Sequence, residues 1–206
     1  MDVAKPLLPP PASVGVYLLA GGASRRMGRC KALLELDGEP MVLRPARRLA
    51  THVASVLLVG KPSQELEELG LPLLYDDCEE HALVHGLRAA LLAPGPEWRF
   101  VSACDMPEVG PEMLGRLWRA AMAAGAPGSY FQRPDRGEPE PLPSLWRADV
   151  AARMAPSWGF AARDWVRRAG LVACAATGAE TAALANVNTP DEWSAYARAA
   201  RRRGRA

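Results

Sequence analysis

Residues 18–31 read Leu18-Leu19-Ala20-Gly21-Gly22-Ala23-Ser24-Arg25-Arg26-Met27-Gly28-Arg29-Cys30-Lys31. The apolar run Val14–Leu19 precedes them and Ala32-Leu33-Leu34 follows, so a strand delivers a loop of small and cationic residues. Paired glycines remove the side chains that would hold a polyphosphate away from the backbone, leaving N–H groups free to donate. Arg25, Arg26 and Lys31 then supply charge-assisted hydrogen bonds to phosphate oxygens. The loop is not a Walker A motif, which needs Gly-x-x-x-x-Gly-Lys followed by Ser or Thr. Here two residues separate Gly28 from Lys31 and Ala32 follows the lysine, so no hydroxyl is set for a metal.

Asp105 stands in Ala103-Cys104-Asp105-Met106-Pro107, directly after another apolar run. A carboxylate there is placed either to hold Mg²⁺, an ion that takes one or two carboxylates together with substrate phosphates, or to cap the next turn. Asp76 and Asp77 form an acidic pair whose local chemistry is that of a solvated loop. Asn186-Val187-Asn188-Thr189-Pro190 reads locally as an Asx turn and helix cap. His81 and His85 have metal-ligand spacing but lack a third ligand, and Trp118, Trp146, Trp158, Trp165 and Trp193 read as packing residues. There is no Gly-x-Ser-x-Gly elbow and no Cys/His pairing of a hydrolase.

These residues must be held by a fold. Val14–Leu19, Ser55–Val59, Leu71–Tyr75, Arg99–Ala103 and Leu171–Ala176 read as strands. Pro40–Thr51, Leu83–Leu92, Glu112–Ala124, Asp149–Ala155, Ala161–Ala169 and Asp191–Arg203 read as helices, with a short helical piece at Glu65–Leu69. Thr189 and Pro190 suit the N-cap and first position of the last helix. Gly125 to Pro143, rich in Gly, Pro and charge, reads as irregular loop. Alternation of strand and helix implies βαβ units, a mostly parallel sheet, and ligands at the carboxyl ends of its strands. Gly21-Gly22, Asp76-Asp77 and Asp105 all fall at such ends.

The 206 residues suit one domain with room for a small lobe, and 49% hydrophobic with 23% charged residues is ordinary globular composition. A net charge of +2 gives no overall signature of nucleic-acid binding, and the basic run Arg198, Arg201, Arg202, Arg203, Arg205 reads as the solvated end of the last helix. Cys30, Cys78, Cys104 and Cys174 form no Cys-x-x-Cys pair and no disulfide framework. Met1 to Pro11 is broken by prolines and lacks a signal-peptide core, and no stretch approaches membrane-spanning length. The expected organisation is a flexible extension at 1–13, one domain at 14–197 and a basic tail at 198–206, in the cytoplasm.

The loop Leu19-Ala20-Gly21-Gly22-x-Ser24-x-Arg26-Met27-Gly28-x-x-Lys31 resembles that of MobA-like nucleotidyltransferases, the molybdenum cofactor guanylyltransferase family. Ala32 to Met41, Val101 to Pro107, Glu140 to Trp146 and Asn186-Val187-Asn188-Thr189-Pro190 are similar to further segments of that family, so the likeness covers about residues 14 to 197. It implies a Rossmann-like three-layer α/β/α sandwich with a mixed, mainly parallel sheet, of the nucleotide-diphospho-sugar transferase type. The implied reaction is Mg²⁺-dependent transfer of GMP from GTP to molybdenum-molybdopterin, releasing pyrophosphate.

By the same resemblance, Leu19, Ala20, Gly21 and Gly22 contact the nucleotide through backbone, with Ser24 and Arg25 beside it. Arg26 and Lys31 bind the triphosphate and stabilise the leaving pyrophosphate, and Asp105 holds Mg²⁺. Asp76, ten residues before Gly86 as in the family, is the nucleotide-binding acid, and Asn186 and Asn188 face the substrate side. Implied partners are GTP and molybdopterin, with transient contact to molybdoenzymes or their chaperones, and neither membrane nor nucleic acid. Two departures stand out. Cys30 replaces the family's Asp before the lysine, and Ala82-Leu83-Val84-His85-Gly86 replaces its Gly-Pro-Leu-x-Gly base loop. The alternatives are a related enzyme using CTP or another acceptor, and a non-catalytic paralogue that binds nucleotide or cofactor.

Overall fold

Val14–Leu19 forms β1, and all six of its residues are buried, as a strand covered on both faces must be. The computed structural model describes residues 8–22, 30–62, 66–76, 78, 80, 82–134, 137–154 and 161–203. After β1 come a small hairpin, β2 (Glu35–Leu36) and β3 (Glu39–Pro40), then α1 (Leu43–Ala50), β4 (Ser55–Gly60), β5 (Leu73–Tyr75), α2 (Leu83–Leu92) and β6 (Trp98–Ala103). The second half holds α3 (Pro111–Ala124), β7 (Gly128–Gln132), β8 (Pro139–Arg147), α4 (Val150–Met154), α5 (Ala162–Arg168), β9 (Val172–Ala175), α6 (Gly178–Ala183) and α7 (Pro190–Arg203).

The main sheet has seven strands in the order β5-β4-β1-β6-β8-β7-β9. β5, β4, β1 and β6 pair in parallel, β8 runs antiparallel to both β6 and β7, and β9 is parallel to β7. Register assigns the faces. Val14 pairs with Trp98 and Val16 with Phe100, and on that face Trp98 meets Trp118 of α3 edge-on, ring centroids 5.3 Å apart. Leu19 pairs with Ala103 on the opposite face, where Gly86 of α2 comes so close that a Cβ there would lie 3.5 Å from Leu19 Cδ2. Helices thus cover both faces of a mixed, mainly parallel sheet, the expected three-layer architecture. Fully buried Tyr17, Leu18, Leu58, Phe100, Phe131, Trp146 and Trp165 belong to one continuous core. Burying an aliphatic or phenyl side chain of this kind is worth about 1.5–3 kcal/mol.

The segment Gly125 to Pro143 departs from the loop expected of it, since β7 and the start of β8 lie there. Its prolines conceal a central strand. Tyr130 pairs with Ser144, but the next residue, Phe131, pairs with Glu140, so Pro141, Leu142 and Pro143 bulge out of the ladder. On the other side the β6–β8 register runs only from Trp98↔Arg147 to Val101↔Ser144. Pro141 and Pro143, which lack N–H donors, therefore fall outside both ladders.

The helix expected from Pro40 begins at Leu43, because Asp37 and Gly38 turn with φ of 54° and 79° and fold Pro40 back against Glu35. Helix α6 was not expected, although Thr177 and Glu180 form a reciprocal capping box at its start. Thr189 does the same for α7, with Glu192 N donating to Thr189 Oγ1 at 3.2 Å and Pro190 in first position. That last helix is seated by a separate cluster of Leu34, Met41 and Val187, with Trp193 and Tyr196 packed on it. No helix among the described residues is long and apolar enough to cross a membrane.

The β7–β8 pairing makes a sharp test, because a Cβ at Gly128 would fall 2.1 Å from the Leu145 carbonyl oxygen. Gly128→Ala is expected to cost about 3 kcal/mol through forced overpacking. Gly178→Ala, with nothing within 4 Å of its Cβ, should leave stability unchanged or raise it slightly. Urea unfolding of the two variants checks this, and a native midpoint for Gly128→Ala would sink the pairing.

Candidate active site

Backbone bonds continue past the end of β1 and fix the start of its loop. Ala20 N donates to Val59 O at 2.7 Å, and Leu19 O accepts from Cys104 N at 3.0 Å. Gly21 and Gly22 are thereby delivered between the ends of β4 and β6. A cavity of about 600 Å³ opens there, at the carboxyl ends of the parallel strands. Its walls are Leu19 to Gly22, Asp76 after β5, Ala82 before α2, Leu83 and Gly86 within it, and Ala103 to Met106 at the end of β6. Lys31, Glu140 to Leu142 of the β8 bulge, and Asn186 and Asn188 complete it.

Lys31 is the junction of this cavity. Its Nζ lies 3.0 Å from Asp105 Oδ2 and donates to Asn188 Oδ1 at 2.6 Å, joining groups 74 and 157 residues away in the chain. Asp105 is fixed from behind, since its carbonyl accepts from Val187 N at 3.0 Å. Val187 sends its side chain into the Leu34–Met41 cluster while Asn186 and Asn188 line the cavity. Glu192 anchors the same turn, accepting from Asn188 N at 2.6 Å and Thr189 N at 3.0 Å. The Asn188 N–H is the main reason that the Glu192 carboxyl sits below the usual carboxylate range.

Asp105 Oδ1 is buried and has no hydrogen-bond partner among the described residues, although its residue lines the cavity. An unpartnered buried carboxylate oxygen beside a lysine suits a hard cation that brings its own further ligands. No group of three His, Cys, Asp or Glu able to hold a metal occurs among the described residues. A cation here would thus lean on substrate oxygens and water. Burial, and then the Asp105 carboxylate, push the neighbouring Cys104 thiol well above its ordinary value, so that it stays protonated.

Asp76 occupies the opposite wall and is held by Lys61, which the sequence analysis does not single out. Lys61 Nζ lies 3.0 Å from Asp76 Oδ2, with side-chain exposures of only 7% and 5%. No local pattern announces this pair, because the partners meet only through the parallel register of β4 and β5.

Leu19, Ala20, Gly21, Gly22, Lys31, Asp76, Gly86, Asp105, Asn186 and Asn188 all line one cavity. Ser24, Arg25 and Arg26 lie outside the described residues, as do Asp77, His81 and Trp158. His85 Nε2 stands 3.5 Å from Glu80 Oε2 and is not part of the lining. Glu140, Pro141 and Leu142 also belong to the lining, and in the sequence only the resemblance of Glu140 to Trp146 to a family segment marks them.

Residues 16–173 match the model of the MobA-like NTP transferase domain. A probable molybdenum cofactor guanylyltransferase from Synechococcus elongatus is 31% identical over 196 residues, covering 86% of this chain and 95% of that one. A molybdenum cofactor guanylyltransferase from Cereibacter sphaeroides is 33% identical over 190 residues, covering 85% and 91%. Among solved structures, molybdopterin-guanine dinucleotide biosynthesis protein A from Archaeoglobus fulgidus superposes with a TM-score of 0.73 at 23% identity, over 91% of this chain and 99% of that one. A CMP:2-keto-3-deoxy-manno-octonic acid synthetase complexed with CTP shares the fold at a TM-score of 0.65 and 14% identity, covering 92% and 98%. By the family model that spans most of its length and by these relatives, the chain belongs to the MobA-like NTP transferase family and is a nucleotidyltransferase.

Proposed function

We propose that this chain transfers GMP from GTP to the phosphate of molybdenum-molybdopterin, giving the molybdopterin guanine dinucleotide cofactor and pyrophosphate. The observation that carries the reading is the contact of Lys31 with both Asp105 and Asn188 beside Gly21-Gly22. The names of the relatives support the same acceptor and nucleotide. An oxygen of the acceptor phosphate attacks the α-phosphorus of GTP. A new P–O–P linkage forms as the bond between the α-phosphorus and its bridging oxygen breaks, and that oxygen leaves with pyrophosphate. No side-chain nucleophile is needed, so the protein's task is positioning and charge stabilisation.

In this reading the backbone of Leu19 to Gly22 cradles the nucleotide, assisted by Ser24 and Arg25. Arg26 and Lys31 neutralise the charge developing on the departing pyrophosphate. Asp76 accepts from a donor group of the nucleoside, and Gly86 keeps α2 close to Leu19 beside it. Asn186 and Asn188 orient the acceptor. Asp105 is the residue to hold Mg²⁺, which when bound supplies positive charge to the phosphate oxygens. The work is done in the cytoplasm on two small molecules, and the labile product passes on by transient contact with a molybdoenzyme or its chaperone.

Lys31→Ala is expected to lower kcat/KM about 100-fold, as for loss of a preorganised charge-stabilising donor, in a pyrophosphate-release assay. Near-normal turnover would dismiss the lysine from the phosphate site. Asp105→Asn should abolish the dependence of turnover on added Mg²⁺ together with most activity, and an intact Mg²⁺ titration curve would move the metal elsewhere. With molybdenum-molybdopterin as acceptor, GTP should exceed CTP in kcat/KM by at least about tenfold, the effect of roughly 1.4 kcal/mol. The reverse order would assign the altered Ala82–Gly86 segment to cytosine.

A further inference from the structure

Lys61 follows β4 and Asp76 follows β5, and the two strand ends are tied by Asp76 N donating to Gly60 O at 3.0 Å. Beyond its contact with Asp76 Oδ2 at 3.0 Å, the Lys61 ammonium donates to the Cys78 carbonyl. The other carboxylate oxygen, Asp76 Oδ1, accepts from Cys78 N at 2.9 Å. The lysine stem runs beneath the loop after β1, for a Cβ at Gly21 would lie 3.8 Å from Lys61 Cγ. One side chain from the end of β4 thus reaches the segments that follow both β1 and β5. Asp76 and Gly21 line the cavity, whereas Lys61 does not.

Such a pair is costly to bury, and an apolar pair of similar volume would generally serve stability as well or better. What an ion pair provides here is orientation. With a fixed donor on each oxygen, the Asp76 carboxylate cannot swing, and its remaining lone pairs keep set directions. We infer that Lys61 is a positioning residue for the nucleotide half of the cavity, governing GTP affinity by aiming Asp76 and supporting Gly21 without touching the nucleotide. The inference rests on the reading of this cavity as a GTP site.

The test is a GTP titration by calorimetry, with kcat and KM measured alongside, on the full chain and three variants. Lys61→Met keeps the stem and removes the charge. It should raise Kd and KM for GTP at least tenfold, while kcat at saturating GTP changes less than threefold. Asp76→Asn should weaken GTP to a similar extent, and Lys61→Met/Asp76→Asn should be no weaker than Asp76→Asn alone, because the lysine acts through the carboxylate. If Lys61→Met does not fold, Lys61→Gln, which removes the charge and shortens the stem, takes its place with the same reading. Wild-type GTP affinity in the lysine variant, a loss confined to kcat, or a further tenfold loss in the double variant would each overturn the inference. A wild-type chain that binds no GTP would overturn the reading of the site itself, a result distinguishable because it precedes any substitution.

Discussion

The Lys31 ammonium sits between a carboxylate from the end of β6 and an amide from the turn before α7. A flexible side chain with three donors can join two acceptors only if both backbones are already held, and most of the architecture meets that condition. The parallel pairing of β1 with β6 puts the loop and Asp105 side by side. The bond from Val187 N to the Asp105 carbonyl binds the late turn to the strand end, and the Leu34–Met41 cluster keeps that turn seated. The geometry around Lys31 therefore depends on apolar burial some distance from the cavity.

The walls of the cavity divide by chemistry. Small residues and backbone form the floor, Asp76 and α2 form one side, and Asp105 with the two asparagines forms the other. Acidic groups are held by cations at both sides, Lys61 on Asp76 and Lys31 on Asp105. The two pairs differ in their access to the cavity. Lys31 lines it and can turn to an incoming anion, whereas Lys61 is enclosed and stays with its partner. One pair is suited to exchange partners during a reaction and the other to remain fixed.

Much of this was legible from residue types. A buried strand followed by Gly21-Gly22 and Lys31 marks one wall of the cavity, and Asp105 after an apolar run marks a strand-end carboxylate. The Asn186-Val187-Asn188 run carried its alternation openly, with an apolar residue between two amides. What stayed hidden depends on register. Pro139, Pro141 and Pro143 argue against a central strand until the bulge shows where they fall. Lys61 and Asp76 look like two unrelated strand ends, because parallel neighbours are joined by long connections that leave no local trace. The hairpin at Asp37-Gly38 and the capping box at Thr177 were local signals, present but overridden by the helical and coil readings around them.

The separation of 157 residues between Lys31 and Asn188 has a consequence for how the molecule is made. Contacts so distant in sequence form late, since the loop between them must be closed first. On the ribosome, β1, β4, β5 and β6 emerge and can assemble their sheet well before Val187 reaches its pocket. A nascent chain then has these strands paired while the surroundings of Lys31 are still incomplete. Synthesis order thus keeps the lysine and aspartate without their third member until the closing turn arrives.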